Sequence, residues 1–251
     1  MTRLFVADAL ALGARVVPRP DQARYLTAVM RLTIGGEVLL FNGRDGEWRA
    51  VISDVGKRGC TLTCASQARP QTSGPDLELI IALIKRSPLE TVIEKATELG
   101  ARRVFLAQAR RSNADRARIA RLDAIAEEAA EQTGRLDVPQ IVEARKLDRI
   151  LDDFPADRRL MFCDEGGEAS DVLTALRDAP LCGWSILIGP EGGFAPEERS
   201  RLRAMPNVTP VTLGPRILRA DTAAIAAMAL WQAVAGDWRD TDPVAPNRHT
   251  G

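Results

Sequence analysis

Residues 186–194 read Ile-Leu-Ile-Gly-Pro-Glu-Gly-Gly-Phe, so an apolar strand runs without a spacer into a glycine-rich turn, and Pro196-Glu197-Glu198 then opens a helix. A continuous apolar strand, as opposed to an alternating one, is buried on both faces, which implies a parallel sheet covered by helices. The chain around it has the same texture. From Leu77 onward, strands are expected at Leu77–Ile84, Val104–Ala107, Arg159–Cys163, Trp184–Ile188 and Val208–Thr212. Amphipathic helices are expected near 87–99, 115–133, 196–205 and 221–235. Ser87 reads as the cap of the first helix, with Pro88 at its first position and Glu90 completing a capping box.

Ahead of this α/β region the pattern differs. Glu37–Phe41, Trp48–Ile52 and Cys60–Cys64 are short strand-like runs, separated by the turn signals Asn42-Gly43 and Asp45-Gly46, and they predict a small β-barrel. One short helix is expected over 21–32, with Tyr25, Leu26, Val29 and Leu32 at helical spacing. The stretch 68–76 is rich in breakers and lacks apolar periodicity. The expected organisation is therefore a barrel over 1–70, a linker over 71–76, an α/β domain over 77–240 and a flexible tail over 241–251. Apolar residues make up 45% of the 251, enough for two ordinary cores without covalent staples.

Composition excludes several classes of function. The first six residues carry no basic stretch leading into an apolar run, and no run of apolar residues approaches a membrane span, so a cytoplasmic protein is expected. The four cysteines are few and scattered; Cys60 and Cys64 have only a permissive spacing and no nearby histidine, so no metal is expected. The sole histidine, His249, lies in the polar tail, which removes histidine-based acid–base mechanisms. Formal net charge is zero, so any nucleic-acid partner has to be held by local arginine patches.

Two segments carry the chemistry. Gly189-Pro-Glu-Gly-Gly193 lies at the carboxyl end of a buried strand, where α/β proteins bind small molecules, yet it has neither dinucleotide-fingerprint nor P-loop spacing. Leu213-Gly-Pro-Arg-Ile-Leu-Arg-Ala-Asp-Thr-Ala223 places Arg216 and Arg219 just before an alanine-rich helix that Asp221 or Thr222 would cap, an arrangement suited to an anion.

Together these two segments resemble the signature segments of the RsmE family of ribosomal RNA methyltransferases, in the SPOUT class. Lys85-Arg86 with Glu90, Lys95 and Thr97-Glu-Leu-Gly100 extends the resemblance, as do Arg111-Ser112, Glu128-Ala-Ala-Glu-Gln132-Thr-Gly-Arg135, and Tyr25-Leu26 with Val29-Met-Arg31. It runs from about residue 3 to 236. The family carries histidine where Tyr25 stands, so no RNA contact is carried over to that position. The resemblance implies a PUA-like barrel joined to a trefoil-knotted domain, a homodimer, S-adenosylmethionine as cofactor, and methylation of N3 of a uridine in the decoding region of 16S ribosomal RNA. It assigns cofactor contacts to Ile188, Gly189, Pro190, Glu191, Gly193, Leu213, Gly214, Arg216, Leu218 and Thr222. RNA contacts are expected from Arg3, Arg24, Arg31, Arg86 and Arg135. For the reaction, Arg219, helped by Arg111 or Arg86, is expected to hold the uracil oxygens as negative charge develops. The base is Glu191, Glu128 or solvent, and Glu191 has a second reading as the carboxylate that orients its own loop. A SPOUT enzyme with another RNA target and a non-catalytic RNA-binding or ribosome-assembly factor are the alternatives.

Overall fold

A computed structural model describes residues 1–56, 59–112, 117–164, 169–177 and 182–239. The chain divides into two compact units, one of residues 1–73 with 126–138 and the other of 74–125 with 139–251. The segment 126–138, expected in the α/β domain, therefore groups with the barrel. His249 and the expected tail lie outside the described residues, as does Asp115.

The first unit holds a five-stranded sheet in the order β1-β3-β4-β5-β2. Its strands are β1 (Arg3–Phe5), β2 (Arg15–Val16), β3 (Glu37–Phe41), β4 (Glu47–Gly56) and β5 (Gly59–Arg69), all paired antiparallel except β1 with β3. Alternation along β4 and β5 sends Ala50, Ile52, Cys60, Leu62 and Cys64 into a core with Leu4, Val16, Leu26, Val38 and Leu40. Strand β3 is apolar on both faces because Phe41 enters a second cluster, with Ala130 and Leu136. Strand β5 runs to Arg69, two residues into the breaker-rich stretch and just short of the expected linker. Helix α1 spans only Pro20–Arg24, and Tyr25–Val29 is a wider π-type turn in which the Met30 amide donates to the Tyr25 carbonyl. The single helix expected over 21–32 is thus broken, and Arg31 ends it at φ 55°.

One buried carboxylate organises the edge of this sheet. Glu47 receives Arg3 at 2.7 Å and Arg69 at 2.8 Å, and its side chain is 3% exposed. Arg3 also donates to the carbonyls of Ala130, Glu131 and Arg135 and stacks over Phe41. Arg135 pairs with Asp137 at 3.0 Å. Arg3 and Arg135, expected on the RNA, are therefore internal braces, since a guanidinium this fully bonded has little left to offer a phosphate.

The second unit is built on a seven-stranded sheet, all parallel, in the order β10-β12-β9-β11-β6-β7-β8. Its strands are β6 (Leu77–Ala82), β7 (Arg103–Gln108), β8 (Gln140–Lys146), β9 (Arg159–Cys163), β10 (Ser170–Asp171), β11 (Trp184–Ile188) and β12 (Val208–Thr212). The helices are α2 (Arg86–Glu98), α3 (Ile119–Thr133, whose second half belongs to the first unit), α4 (Leu147–Asp152), α5 (Val172–Arg177), α6 (Pro196–Ala204) and α7 (Ala220–Val234); a 3-10 turn follows at Asp237–Arg239. Every residue of β6 and β11 is buried, and the polar one in each is paired, the Ser185 hydroxyl donating to the Glu78 carboxylate at 2.9 Å. Strand β8 and helix α4 were not legible: β8 is an edge strand with one fully buried position, so its sequence lacks a period.

Two helix starts differ from expectation. Helix α2 begins at Arg86 with Lys85 as its cap, because the Lys85 carbonyl already accepts the Leu89 amide; Pro88 at the third position removes an amide that had no intrahelical partner. Helix α7 is capped by Arg219, not by Asp221 or Thr222, because the Arg219 carbonyl accepts the Ala223 amide. Among the described residues, no helix is long and apolar enough to cross a membrane, and no three His, Cys, Asp or Glu side chains are grouped to hold a metal ion. All four cysteines are free thiols.

Candidate active site

Strands β11, β9 and β12 are adjacent and parallel, so their carboxyl ends open at one edge of the sheet. Cys163 and Asp164 end β9, Ile188 to Glu191 leave β11, and Val211 to Gly214 leave β12; together they line a cleft of about 230 Å³. The segment Pro215–Ala220 and Ala223 of α7 complete its wall. Apolar surface from Ile188, Val211, Leu213 and Leu218 faces the same space as the polar groups of Asp164, Glu191, Arg216 and Arg219. Such a lining accepts a small molecule with a flat apolar part and charged ends.

The first loop is shaped by internal contacts. The Gly193 amide donates to the Pro190 carbonyl at 2.8 Å, closing a tight turn with Gly193 at φ 65°. Gly189 has a different reason to be glycine: a Cβ there would come within 2.7 Å of the Phe194 ring, which packs edge-on against Phe162 in the core. Gly189 thus packs against the protein on one side while it lines the cleft on the other. Loop orientation was one reading of Glu191, but the carboxylate that accepts backbone hydrogen bonds here is Glu198. Its Oε2 takes the Ala195 amide at 2.9 Å and its Oε1 the Arg110 amide at 2.8 Å. Glu191 is exposed in the turn and lines the cleft. Arg111 reaches the loop from the end of β7, donating to the Gly192 carbonyl at 3.2 Å.

The second loop leaves β12 through Gly214, at φ 112° with nothing within 4 Å of where a Cβ would stand. A side chain there would be strained and would project into open space. Arg216 and Arg219 follow, both exposed and both lining the cleft, with no side-chain hydrogen bond or ion pair among the described residues. On the opposite wall, Asp164 is neutralised by Arg199 at 2.9 Å and Arg203 at 2.8 Å, which tie α6 to the end of β9. Burial pushes the Cys163 thiol up to about 12, so that wall carries a neutral group at physiological pH.

Of the residues assigned to the cofactor, all but Gly193 and Thr222 line the cleft. Thr222 is exposed, and its amide donates to the Asp221 carboxylate at 2.9 Å. Cys163, Asp164 and Val211 line it too and were missed, although the end of each parallel strand was a place to look. Arg86 pairs with Glu90 at 2.8 Å, which Arg121 also approaches at 3.7 Å, and it does not line the cleft. Glu128 is exposed on α3 and does not line the cleft; Arg111 does not line it either, but it abuts the glycine loop at Gly192. Arg24 and Arg31 are exposed, flanking Tyr25, Val29 and Met30, which are exposed as well.

Comparison with known proteins places this geometry. The RNA methyltransferase domain family matches residues 72–232, and the RNA methyltransferase PUA domain family matches residues 18–63. The ribosomal RNA small subunit methyltransferase E of Rickettsia conorii is 32% identical over 230 residues, covering 90% of this chain and 93% of that protein. Its Bacillus subtilis namesake is 30% identical over 224 residues, covering 83% and 86%. A crystal structure of a ribosomal RNA small subunit methyltransferase E from Neisseria gonorrhoeae, bound to S-adenosyl methionine, superposes with a TM-score of 0.85 at 25% identity, covering 95% of this chain and 99% of that one. With matches to both of its domains and to its fold over most of its length, the chain belongs to the ribosomal RNA small subunit methyltransferase E family and is an RNA methyltransferase.

Proposed function

We propose that this protein transfers the methyl group of S-adenosylmethionine to N3 of a uridine in the decoding region of 16S ribosomal RNA, working in the cytoplasm as a homodimer with the SPOUT trefoil knot. The observation that carries the reading is the cleft at the ends of β9, β11 and β12, in which two glycine loops and two exposed arginines meet in a chain of this family. The lining fits the cofactor: apolar walls suit a purine, arginines suit a carboxylate, and Gly214 leaves open space that a Cβ would occupy. Ile188, Gly189, Pro190, Glu191, Leu213, Gly214, Arg216 and Leu218 hold it, with Gly193 and Thr222 shaping the ends of the two loops. When bound, the cofactor supplies a methyl group on positively charged sulfur.

The protein's own task is to make N3 of uracil nucleophilic. That nitrogen carries a proton at neutral pH, and its loss leaves negative charge on the two flanking oxygens. Arg219 and Arg111 stabilise that charge as it forms, as preorganised cations at a site of developing charge do. Glu191 takes the proton, directly or through water; its exposure in the turn, with loop orientation left to Glu198, supports this role. Arg24 and Arg31 contact RNA phosphates.

The test is methyl transfer from labelled S-adenosylmethionine to small ribosomal subunits from cells lacking the endogenous enzyme, with the nucleoside identified by mass spectrometry. N3-methyluridine is expected. A different methylated nucleoside would overturn the target assignment, and cofactor binding without transfer would favour a non-catalytic RNA-binding role. Sedimentation of the purified chain tests the dimer.

A further inference from the structure

We infer that Glu198 is a positioning residue that clamps the loop carrying Arg111 to the glycine loop of the cleft, so that Arg111 is held in register with the reacting base. The inference deepens the methyl-transfer reading, and its functional part rests on that reading.

Glu198 is the third residue of α6, where a glutamate ordinarily reaches back to the amide of the cap and leaves its other oxygen in water. Here the cap is Ala195, which has no side-chain acceptor, so only the glutamate half of that arrangement exists, through the 2.9 Å bond from the Ala195 amide. The second oxygen is not solvated. Glu198 is 4% exposed, and Oε1 accepts the Arg110 amide, 88 residues away in sequence. A buried carboxylate bonded to two amides from different loops does more than cap a helix, because separating the loops would strand a charge out of water.

Two further contacts run in parallel. Arg111 donates to the Gly192 carbonyl, and a Cβ on Gly192 would stand 3.4 Å from Arg111 Cβ, so the two backbones are nearly in contact there. The loop from β7 is itself closed, by the Ser112 amide to the Ala109 carbonyl and the Ala109 amide to Ser112 Oγ. It therefore moves as one piece, and the bond at Arg110 fixes the direction in which Arg111 leaves. Exposed, with a single bond to the glycine loop, the Arg111 side chain does not set its own position.

Glu198→Gln is the informative change, since it keeps size and one acceptor while turning an amide donor toward a backbone donor. Hydrogen exchange of the full-length protein, with no cofactor added, reads the clamp directly. Exchange should quicken about tenfold in both the 109–112 and the 189–195 segments, with β6 unchanged, as loss of a buried charged hydrogen bond implies. Quickening confined to 189–195 would make Glu198 a helix cap alone and overturn the proposal, whether or not the protein is a methyltransferase. The functional readout is a double-mutant cycle with Arg111→Ala. Glu198→Gln should lower the rate of transfer about tenfold while cofactor affinity stays within about threefold, and should lower it less than twofold further in the Arg111→Ala background. Fully additive losses would remove Arg111 from the account, and Glu198→Asp, too short to reach both amides, should behave like the Gln variant. If the parent protein transfers no methyl group at all, the methyl-transfer reading fails, and the exchange measurement still decides the clamp.

Discussion

In the barrel unit, Arg3 and Arg69 converge on one buried carboxylate, Glu47, whereas at the cleft of the second unit Arg216 and Arg219 stand exposed without a side-chain partner among the described residues. The same residue type braces a fold in one place and stands exposed at a cleft in the other. What separates the cases is whether a carboxylate comes within reach, and that depends on pairings distant in sequence: β4 with β5 brings Arg69 to Glu47. Net charge conceals the division, because the 34 basic and 34 acidic residues cancel over the whole chain while the cleft arginines do not cancel locally.

The largest effect should come from the braced carboxylate. Glu47→Ala leaves two guanidinium groups against a vacated buried site and should destabilise the protein by about 3–5 kcal/mol in urea denaturation. A loss below about 1 kcal/mol would put the pair among surface bridges and dissolve the contrast with the cleft. Acid should expose the same group. Burial acts to raise the Glu47 carboxyl, but hydrogen bonds from Arg69 and Arg3 outweigh it and hold the group below its usual 4.5. Its stabilisation is therefore present above that value and lost as pH falls through the lower folded one. Denaturation curves of Glu47→Gln should show correspondingly weaker dependence on pH in that acid range.

The cleft arginines should respond in rate and not in stability. Arg219→Ala should lower single-turnover methyl transfer by roughly 10²–10³ with cofactor affinity changed far less, as loss of a group acting on developing charge does. If cofactor affinity falls in step with the rate, Arg219 is a cofactor contact only. A smaller effect is expected at Gly214, where alanine is forced to φ 112° and should cost about 1–2 kcal/mol of stability. Calorimetry should show weaker cofactor binding as well, and a neutral outcome would mean that the loop relaxes freely. Smallest is the change at the exposed arginines proposed to contact phosphate. Arg24→Ala and Arg31→Ala should each reduce the salt dependence of RNA binding by about 0.7–0.9 in the log–log slope. Arg135→Ala, whose side chain is paired with Asp137, should leave that slope unchanged.

Strands with a strong period were legible: β6 and β11 because both faces are buried, β4 and β5 because the faces alternate. The edge strand β8 was not, since one buried position out of seven writes no pattern. At the cleft, the two glycine loops could be read directly, because tight turns after buried strands restrict residue type. Asp164 and Glu198 could not be singled out, as a carboxylate in a polar stretch looks the same whether it is solvated or buried between arginines or amides. Arg3 was misread for the matching reason: it is paired in three dimensions with Glu47, 44 residues away, which local sequence does not nominate.

What the sequence determined by itself was local: which segments become buried strands, where helices stop, and which two loops can approach a small ligand, all consequences of side-chain period and backbone freedom. Only the tertiary structure decided that β12 lies beside β9, so that three strand ends share one cleft, and only it sorted the arginines into buried braces and exposed side chains. The physical reason is that burial and charge pairing are set by neighbours across the sheet, and those neighbours are named by the fold and not by position along the chain.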